Sequence, residues 1–423
     1  MIIKQKEFNV VENMNKAIIF NRENGLWMRI SKECLDILEK AISMKLGYDE
    51  ILNCFKREED RKYFESILKN LIKCEVIKNQ DNVIENIKAE GKIETVNLIV
   101  TDRCNLACTH CCANALTLNG EDTLDKNDYF NIVDKVVDEI NPEYIVVSGG
   151  EPLVRKDILN ICKYIRKKFS GKLELMTNGL LINDSNIGTL KECFDAISIS
   201  IDGIDEESCK IIRGNNVFSK VIDKVKFLKE NNFNKISLSA VLPRNRAIEK
   251  EFEKMCKELG VQPLIRYLSM SGRAGNNIDI INKKMEKYLI EKDMKIDSED
   301  LLVYVHDNKS DIRVSSCGAC KNVITIGEDG SIYPCNLLMK DKFKIANIQD
   351  RIDILQIVKD KNNIGCRNLN NLRLGKNKYC EKCKVNMFCW SCLAECDDLL
   401  GNEEVFKKRC NEVKVKLNNV IWG

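Results

Sequence analysis

A cysteine-rich stretch near residue 100 constrains this chain more than any other feature. Cys104, Cys108 and Cys111 are spaced C-x3-C-x2-C and follow the apolar run Val96–Val100, which is typical of a short buried strand. Three thiolates on one loop can hold three irons of a cubane iron–sulfur cluster, whereas the usual ferredoxin arrangement needs four cysteines. The fourth iron would then be open to a small molecule, like the open position of a catalytic zinc site.

This spacing resembles the signature of the radical SAM superfamily. The resemblance implies that the three cysteines hold a [4Fe–4S] cluster whose open iron binds S-adenosylmethionine. One-electron cleavage of that cofactor would yield a 5'-deoxyadenosyl radical, which takes a hydrogen atom from the substrate. His110 stands where the family usually has an aromatic residue, so we expect its ring to lie against the adenine. A structural zinc site is disfavoured, because such sites favour paired C-x2-C or Cys/His sets.

Composition limits the other classes of function. The chain has 423 residues and a net charge of +3, which is too small to indicate nucleic-acid or membrane binding, and we expect neither. No apolar run is long enough to span a membrane, and the N-terminus lacks a signal-peptide core, so we predict a cytoplasmic protein. The 21 cysteines concentrate in 104–112 and 317–410, which indicates metal binding rather than disulfides. Clustered cysteines and abundant Lys, Ile and Asn fit an anaerobic source.

Residues 1–80 form a first predicted unit. Three short strand candidates between residues 7 and 30 precede three helix candidates, the first of which has Ser31 as its N-cap. This order is typical of a winged-helix-like module. The order resembles the peptide-recognition domain of ribosomal-peptide maturases, which is similar to the pyrroloquinoline quinone biosynthesis chaperone. Such a domain captures the leader of a precursor peptide as an extra strand. A DNA-binding winged helix is the alternative, but no basic stripe supports it. Residues 81–93 are a predicted linker.

Residues 94–300 alternate strand and helix patterns, which predicts an α/β fold with a parallel sheet. Six βα units are too few for a closed eight-stranded barrel, and they match the partial (βα)6 TIM barrel of the radical SAM family. Functional residues should then follow the carboxyl ends of the strands. The strand candidates are Val96–Thr101, Glu143–Ser148, Lys172–Thr177, Asp195–Ile201, Lys235–Val241 and Pro263–Leu268.

Further cofactor contacts are implied by the resemblance at other strand ends. Two glycines after the second strand would let the backbone approach the methionine end of S-adenosylmethionine, and the acid that follows would accept from its ammonium. A serine would contact the ribose or carboxylate, an arginine the carboxylate, and a leucine the adenine. In chain order, these residues are Gly149, Gly150, Glu151, Ser200, Arg213 and Leu268. Simple barrel packing is the alternative for Ser200 and Leu268, and no residue is assigned as catalytic.

Residues 301–423 carry the second cysteine field, which closely resembles the SPASM extension of radical SAM enzymes. That extension binds two auxiliary [4Fe–4S] clusters, so three clusters are implied in all. The first auxiliary set would be Cys317, Cys320, Cys335 and Cys392, and the second Cys380, Cys383, Cys389 and Cys410. The sequence departs from the SPASM cysteine pattern at position 393, where that pattern has Cys and this chain has Leu. Cys392 needs the smaller shift, and Cys396 is the alternative. A zinc site is the other interpretation of Cys380-x2-Cys383.

The predicted reaction is the modification of a ribosomally made precursor peptide with a leader. Asn336 stands where the anaerobic sulfatase maturases would have an Asp base, which argues against that branch. Of the remaining reactions we favour a thioether bond from a peptide Cys sulfur to a carbon, with a flavodoxin- or ferredoxin-type reductant. C–C cross-linking and epimerisation are alternatives that share every motif. An iron–sulfur DNA-binding regulator is the alternative of a different class.

Overall fold

The structure is a computed structural model that describes residues 2–5, 8–79, 92–115, 118–268, 270–294, 312–314, 317–373, 379–389 and 392–423. Most of the predicted linker therefore lies outside the described residues. The strands are β1 Ile2–Lys4, β2 Asn9–Asn13, β3 Lys16–Phe20, β4 Trp27–Ser31, β5 Ile77–Asn79, β6 Thr95–Ile99, β7 Tyr144–Ser148, β8 Lys172–Thr177, β9 Ala196–Ser200, β10 Ile236–Leu242, β11 Gln262–Tyr267, β12 Val323–Ile326, β13 Ser331–Tyr333 and β14 Ala346–Asn347.

The helices alternate with these strands between β6 and β11 and dominate the C-terminal region. They are α1 Lys32–Ser43, α2 Tyr48–Asn53, α3 Glu58–Lys73, α4 Lys126–Lys135, α5 Ile158–Lys168, α6 Ile187–Cys193, α7 Glu206–Arg213, α8 Phe218–Glu230, α9 Arg246–Leu259, α10 Arg273–Glu291, α11 Ile354–Ile357, α12 Ile364–Leu372, α13 Asn386–Cys389, α14 Leu393–Leu400 and α15 Glu403–Trp422. Within the described ranges, no helix combines the length and apolar character that crossing a membrane requires.

The N-terminal unit is an antiparallel sheet followed by three helices. Strands β2, β3 and β4 pair in that order, and the Ser31 side chain caps α1 by accepting from the Cys34 N–H. The apolar sides of α1, α2 and α3 pack on one face of the sheet, with Leu35 and Phe64 fully buried. The sequence therefore predicted the three strands and three helices in the correct order, but it did not predict β1, which pairs with β5.

The other face of this sheet is covered by the C-terminal helix. Ile18 and Phe20 of β3 share an apolar cluster with Leu417 of α15. The Trp27 ring meets the Phe388 ring edge-on, with 4.9 Å between centroids, and its indole N–H donates to the Ile312 carbonyl at 2.9 Å. Both faces of the N-terminal sheet are buried as a result, and no sequence pattern indicated the second contact.

The central sheet confirms the predicted α/β fold. Strands β6 to β11 are all parallel and lie side by side in chain order. The central residues of β6, β7, β9 and β10 are largely buried, as in Ile145–Val147 of β7, whereas β11 at the edge of the sheet is mostly exposed. Parallel strands covered by helices are rich in apolar residues, which made the buried strands recognisable, although the edge strand β11 has no such run. The carboxyl ends of all six strands therefore open on the same side.

The sheet does not end at the predicted boundary near residue 300. Strand β12 pairs in parallel with β6, and β13 and β14 continue the sheet in antiparallel fashion. The strand before the first cysteine loop thus lies between β7 and a strand from the second cysteine field. Pairing between segments more than two hundred residues apart leaves no local pattern, so the sequence alone did not predict it.

Candidate active site

The first cysteine loop follows the carboxyl end of β6, and backbone amides point at its sulfurs. The Leu106 N–H lies 3.4 Å from the Cys104 sulfur, and the Ala115 N–H lies 3.5 Å from the Cys111 sulfur. Burial raises the pKa of the Cys108 thiol to about 11. Amide donors to sulfur are a feature of iron–sulfur sites, and a metal displaces the proton of a thiol when it binds. The loop therefore fits a metal cluster.

Arg273, at the start of α10, holds this loop by its carbonyls. Its Nε donates to the Cys108 carbonyl at 3.1 Å and its Nη1 to the Ala115 carbonyl at 3.0 Å. Its backbone N–H donates to the Cys111 carbonyl. Sequence reasoning missed Arg273, because nothing in the local pattern singles it out from other helical arginines.

The two glycines after β7 allow the backbone to lie against the start of the cysteine loop. The Gly150 N–H donates to the Thr101 carbonyl and the Glu151 N–H to the Arg103 carbonyl, both at 2.8 Å. A Cβ on Gly150 would lie 2.3 Å from the Arg103 oxygen, and one on Gly149 would lie 2.4 Å from the Thr101 oxygen. The need for glycine thus comes from the protein backbone, and the predicted approach to a cofactor stays a prediction.

Glu151 is fully buried and ties two strand ends together. Its carboxylate accepts from the Leu153 N–H at 3.0 Å, the Thr177 hydroxyl at 2.7 Å and the Asn178 N–H at 2.7 Å. Burial raises the pKa of Glu151, and these hydrogen bonds oppose that rise. A bond to a cofactor ammonium would be additional to three bonds within the chain, and it stays a prediction.

Asp202, directly after β9, connects two of the predicted site residues. Its Oδ2 lies 2.9 Å from His110 Nε2 and 2.6 Å from Arg213 Nε, and its Oδ1 accepts from the Val241 N–H at 2.6 Å. Burial alone would raise the pKa of Asp202, but the charges of Arg213 and His110 hold it well below its usual range. Sequence reasoning missed Asp202, although a polar residue at a strand's carboxyl end was a usable signal.

His110 and Arg213 lie beside the first cysteine loop. Arg213 Nη1 is 4.0 Å from the Cys108 sulfur, and the side chains of both His110 and Arg213 are 10% exposed. His110 Nδ1 is buried and has no hydrogen-bond partner in the described part of the chain. Such an orphaned nitrogen fits a ligand that binds here, while the adenine contact stays a prediction.

The last two predicted cofactor contacts lie at the same end of the sheet. Ser200 is half-buried at the carboxyl end of β9. Leu268 follows β11 and lines a small apolar pocket with Ile212, Val241 and Met285. This placement agrees with a ligand contact and equally with barrel packing.

The first auxiliary set is spread over one apolar cluster. Cys317, Cys320, Cys335 and Cys392 all pack against the same buried core. Burial, together with the nearby Cys317 and Cys392, raises the pKa of the Cys335 thiol to about 12. The neighbouring Cys366 thiol, together with burial, raises the pKa of Cys320. Cys366 had no predicted role, so the structure adds a fifth cysteine to this group.

The second set also contains a fifth cysteine. Cys380, Cys389 and Cys410 pack in one cluster together with Cys396. Burial, with the nearby Cys380 and Cys389, raises the pKa of Cys396 to about 12. Burial and the nearby Cys383 thiol raise the pKa of Cys410, so Cys383 lies close to this group. The structure therefore places Cys392 with the first set and Cys396 with the second.

A buried arginine lies inside this second set. Arg409 Nη1 lies 3.5 Å from the Cys389 sulfur, and its Nη2 donates to the Cys389 carbonyl at 3.3 Å. Within the described ranges, no three His, Cys or acidic side chains converge closely enough to hold one metal ion. In a four-iron cluster each cysteine binds its own iron, so cluster ligands need not converge on one point.

Residues 98–259 match the family model of the Radical SAM superfamily. They are a radical SAM domain. The matched range begins in β6, includes the first cysteine loop and the residues around Asp202, and ends with α9. Proteins with this domain use a [4Fe–4S] cluster and S-adenosylmethionine, and the cysteine loop described above fits that cluster.

Two curated proteins are similar to part of the chain. The chain is 25% identical over 260 residues to the mycofactocin maturase MftC of Mycolicibacterium smegmatis, which covers 59% of the chain and 66% of that protein. It is 29% identical over 156 residues to the GTP 3',8-cyclase of Psychromonas ingrahamii, covering 36% of the chain and 45% of that protein. The chain thus matches less than two thirds of the length of these relatives.

The match to a solved structure covers a larger share of the chain. The crystal structure of Streptococcus suis SuiB bound to S-adenosylmethionine has a TM-score of 0.50 and 16% identity, and the match covers 92% of this chain and 94% of SuiB. The complex of SuiB with its precursor peptide SuiA matches with the same score and coverage. At this identity the likeness concerns the fold alone.

Proposed function

We propose that the chain is a radical SAM maturase that modifies a ribosomally synthesised precursor peptide. The observation that carries the proposal is the loop of Cys104, Cys108 and Cys111 at the carboxyl end of β6, with amide donors aimed at two of its sulfurs. Two comparisons support a peptide substrate. MftC is named as a maturase, and SuiB was solved with a precursor peptide.

In this proposal the three cysteines hold a [4Fe–4S] cluster that binds S-adenosylmethionine, and the bound pair supplies the 5'-deoxyadenosyl radical. The chain's own residues fix the geometry. Arg273 holds the loop by its carbonyls, and Glu151 joins the ends of β7 and β8. Arg213 presents a buried guanidinium beside Cys108, which suits a carboxylate of the cofactor.

Two auxiliary clusters belong to the same proposal. The first would be held by Cys317, Cys320, Cys335 and Cys392, and the second by Cys380, Cys383, Cys389 and Cys410. The proximity of Cys392 to Cys317, and of Cys396 to Cys380, supports Cys392 as the ligand of the first cluster. A flavodoxin- or ferredoxin-type protein would supply the electrons.

The N-terminal unit would bind the leader of the precursor. Helices cover one face of its sheet and α15 covers the other, which leaves the edges for an added strand. Strands β2 and β4 are these edges, since each pairs only with β3 among the described residues. Strand addition uses main-chain hydrogen bonds and therefore suits a leader of varied side chains.

For the finer reaction we propose thioether formation. The 5'-deoxyadenosyl radical would take one hydrogen atom from a precursor carbon, a precursor Cys sulfur would join that carbon with loss of its thiol proton, and the surplus electron would pass to an auxiliary cluster. C–C cross-linking and epimerisation would use the same residues. Mass spectrometry of the product after thiol alkylation separates them, because a thioether consumes a thiol and the other two reactions do not.

The first test is anaerobic. The chain is reconstituted with iron and sulfide, and 5'-deoxyadenosine is measured after adding dithionite and S-adenosylmethionine. We expect about 12 irons per chain, from three four-iron clusters, and deoxyadenosine that disappears when Cys104, Cys108 and Cys111 are all changed to Ala. Cys54→Ala, which alters an exposed cysteine outside the three sets, should have no effect.

A fully loaded wild type that makes no deoxyadenosine would contradict the enzyme. A gel shift on promoter DNA by that same protein would favour the iron–sulfur regulator instead. If deoxyadenosine forms, adding the product of a small open reading frame beside the gene tests the peptide substrate directly.

A further inference from the structure

The backbone at Asp202 is constrained independently of the contacts of its side chain. Its φ is +53°, a left-handed conformation that Asp tolerates better than most residues. The next residue, Gly203, packs so closely on α7 that a Cβ would lie 2.4 Å from the Cys209 nitrogen. The turn after β9 is therefore fixed against α7, and the carboxylate is 1% exposed.

This single carboxylate joins three parts of the radical SAM domain. One oxygen accepts from the Val241 N–H of β10. The other faces Arg213 Nε at the end of α7 and His110 Nε2 in the cysteine loop. A carboxylate is an acceptor at both oxygens, whereas an Asn amide must turn its NH₂ group towards one of these N–H donors. An acidic side chain of this length presents an acceptor oxygen to all three groups, with one hydrogen bond and two ion-pair contacts.

The contact with Asp202 also determines which nitrogens of His110 and Arg213 are left to face a ligand. When His110 Nε2 donates to Asp202, Nδ1 is the nitrogen left for a ligand, and it is buried without a partner among the described residues. When Arg213 Nε faces Asp202, its two Nη groups point elsewhere, one of them to within 4.0 Å of the Cys108 sulfur. Such support of ligand-contacting groups commonly sets binding strength.

We propose that Asp202 is a positioning residue: it fixes the His110 ring with Nε2 towards the Asp202 carboxylate and aims the Arg213 guanidinium at the cofactor carboxylate. This inference rests on the proposed function for the identity of the cofactor. The orientation of His110 itself can be measured whether or not the protein is an enzyme.

The experiment uses ¹⁵N labelling of histidine rings in the full-length chain. The chain has only two histidines, His110 and His306, so His110→Gln identifies both sets of signals. In the wild type we expect one distinct set of His110 ring signals, as for a ring held in a single orientation. In Asp202→Asn we expect the His110 signals to shift and those of His306 to stay. Signals of His110 that do not change in Asp202→Asn would overturn the proposal.

A matched control exists at the opposite end of the same strand. Asp195 precedes β9, accepts from the Leu173 N–H at 2.9 Å and pairs with Arg166 at 2.6 Å, so it repeats the chemistry of Asp202 away from the site. Asp195→Asn should leave the His110 signals and cofactor binding unchanged. A shift of the His110 signals in Asp195→Asn as large as in Asp202→Asn would also overturn the proposal.

The second measurement is the dissociation constant of S-adenosylmethionine with reconstituted protein. We expect Asp202→Asn to weaken binding at least tenfold at unchanged iron content, and Asp202→Glu to recover part of the loss. Unchanged affinity with a displaced His110 ring would reduce Asp202 to a structural role and overturn the proposal. A wild type that binds no cofactor would instead contradict the proposed function, and the His110 spectrum would still decide whether Asp202 orients the ring.

Discussion

The contact between the loop after β7 and the cysteine loop yields the sharpest stability prediction. In Gly150→Ala the new Cβ would lie 2.3 Å from the Arg103 carbonyl oxygen and 2.8 Å from the Asp102 oxygen. Neither atom is a flexible side-chain end, so the two backbones must separate. Overpacking of this kind costs about 1–3 kcal/mol, and each weakened backbone hydrogen bond adds about 1 kcal/mol. We expect roughly 3 kcal/mol of lost stability.

The assay is urea unfolding followed by circular dichroism, with iron content measured on the same samples. Gly188→Ala is the matched control, because no heavy atom lies within 4 Å of a Cβ at that helical position. Alanine there should raise stability by about 0.5–1 kcal/mol. If Gly150→Ala unfolds at the wild-type urea concentration, or if Gly188→Ala is equally destabilised, the close-approach argument is wrong.

Three further predictions concern other parts of the chain. Asp122→Asn should lose roughly 2 kcal/mol of stability at pH 7, because it breaks a largely buried ion pair with Arg103. Burial opposes the effect, but the bonds of Asp122 hold its pKa below the ordinary value. The difference in free energy of unfolding between Asp122→Asn and wild type should therefore reach its maximum above about pH 4. It should shrink as the pH falls below that value. Trp27→Ala should lower the free energy of unfolding by about 2–3 kcal/mol. Because it weakens the contact between the N-terminal unit and α15, it should also speed limited proteolysis of the chain. Cys392→Ala should reduce iron from about 12 to about 8 per chain, whereas Cys396→Ala should not.

Each of these three has a result that would count against it. A constant difference between Asp122→Asn and wild type at every pH would contradict the assigned pKa direction. Unchanged proteolysis of Trp27→Ala would mean that the edge-on ring contact adds little to the interface. Iron loss in Cys396→Ala but not in Cys392→Ala would reverse the assignment of the two cysteines.

Local pattern was enough to predict the elements that carry the site. Strands β6, β7, β9 and β10 are rich in buried apolar residues, and the first cysteine loop follows β6, so strand and motif support each other. The N-terminal strands and helices were recognisable for the same reason. The cofactor contacts of Glu151, His110 and Arg213 were predicted from resemblance, and the structure shows what holds these side chains within the chain.

The features that sequence reasoning missed all depend on contacts between distant segments. Asp202 lies between two predicted site residues, but its role follows only from the approach of the cysteine loop and α7. The pairing of β12 with β6 and the packing of α15 on the N-terminal sheet connect segments hundreds of residues apart. Position 393 remained ambiguous because spacing cannot tell which neighbours Cys392 and Cys396 will have.

The pairing of β12 with β6 has a consequence for the order in which this protein can fold. Synthesis proceeds from the N-terminus, and domains generally begin to fold as they emerge. When residues 95–259 leave the ribosome, β6 has β7 on one side and an open hydrogen-bonding edge on the other. That edge, beside the first cysteine loop, stays open until residues 323–326 have been made. An exposed edge strand attracts other chains, so the nascent protein is most exposed to aggregation before residues 323–326 are available to pair with β6.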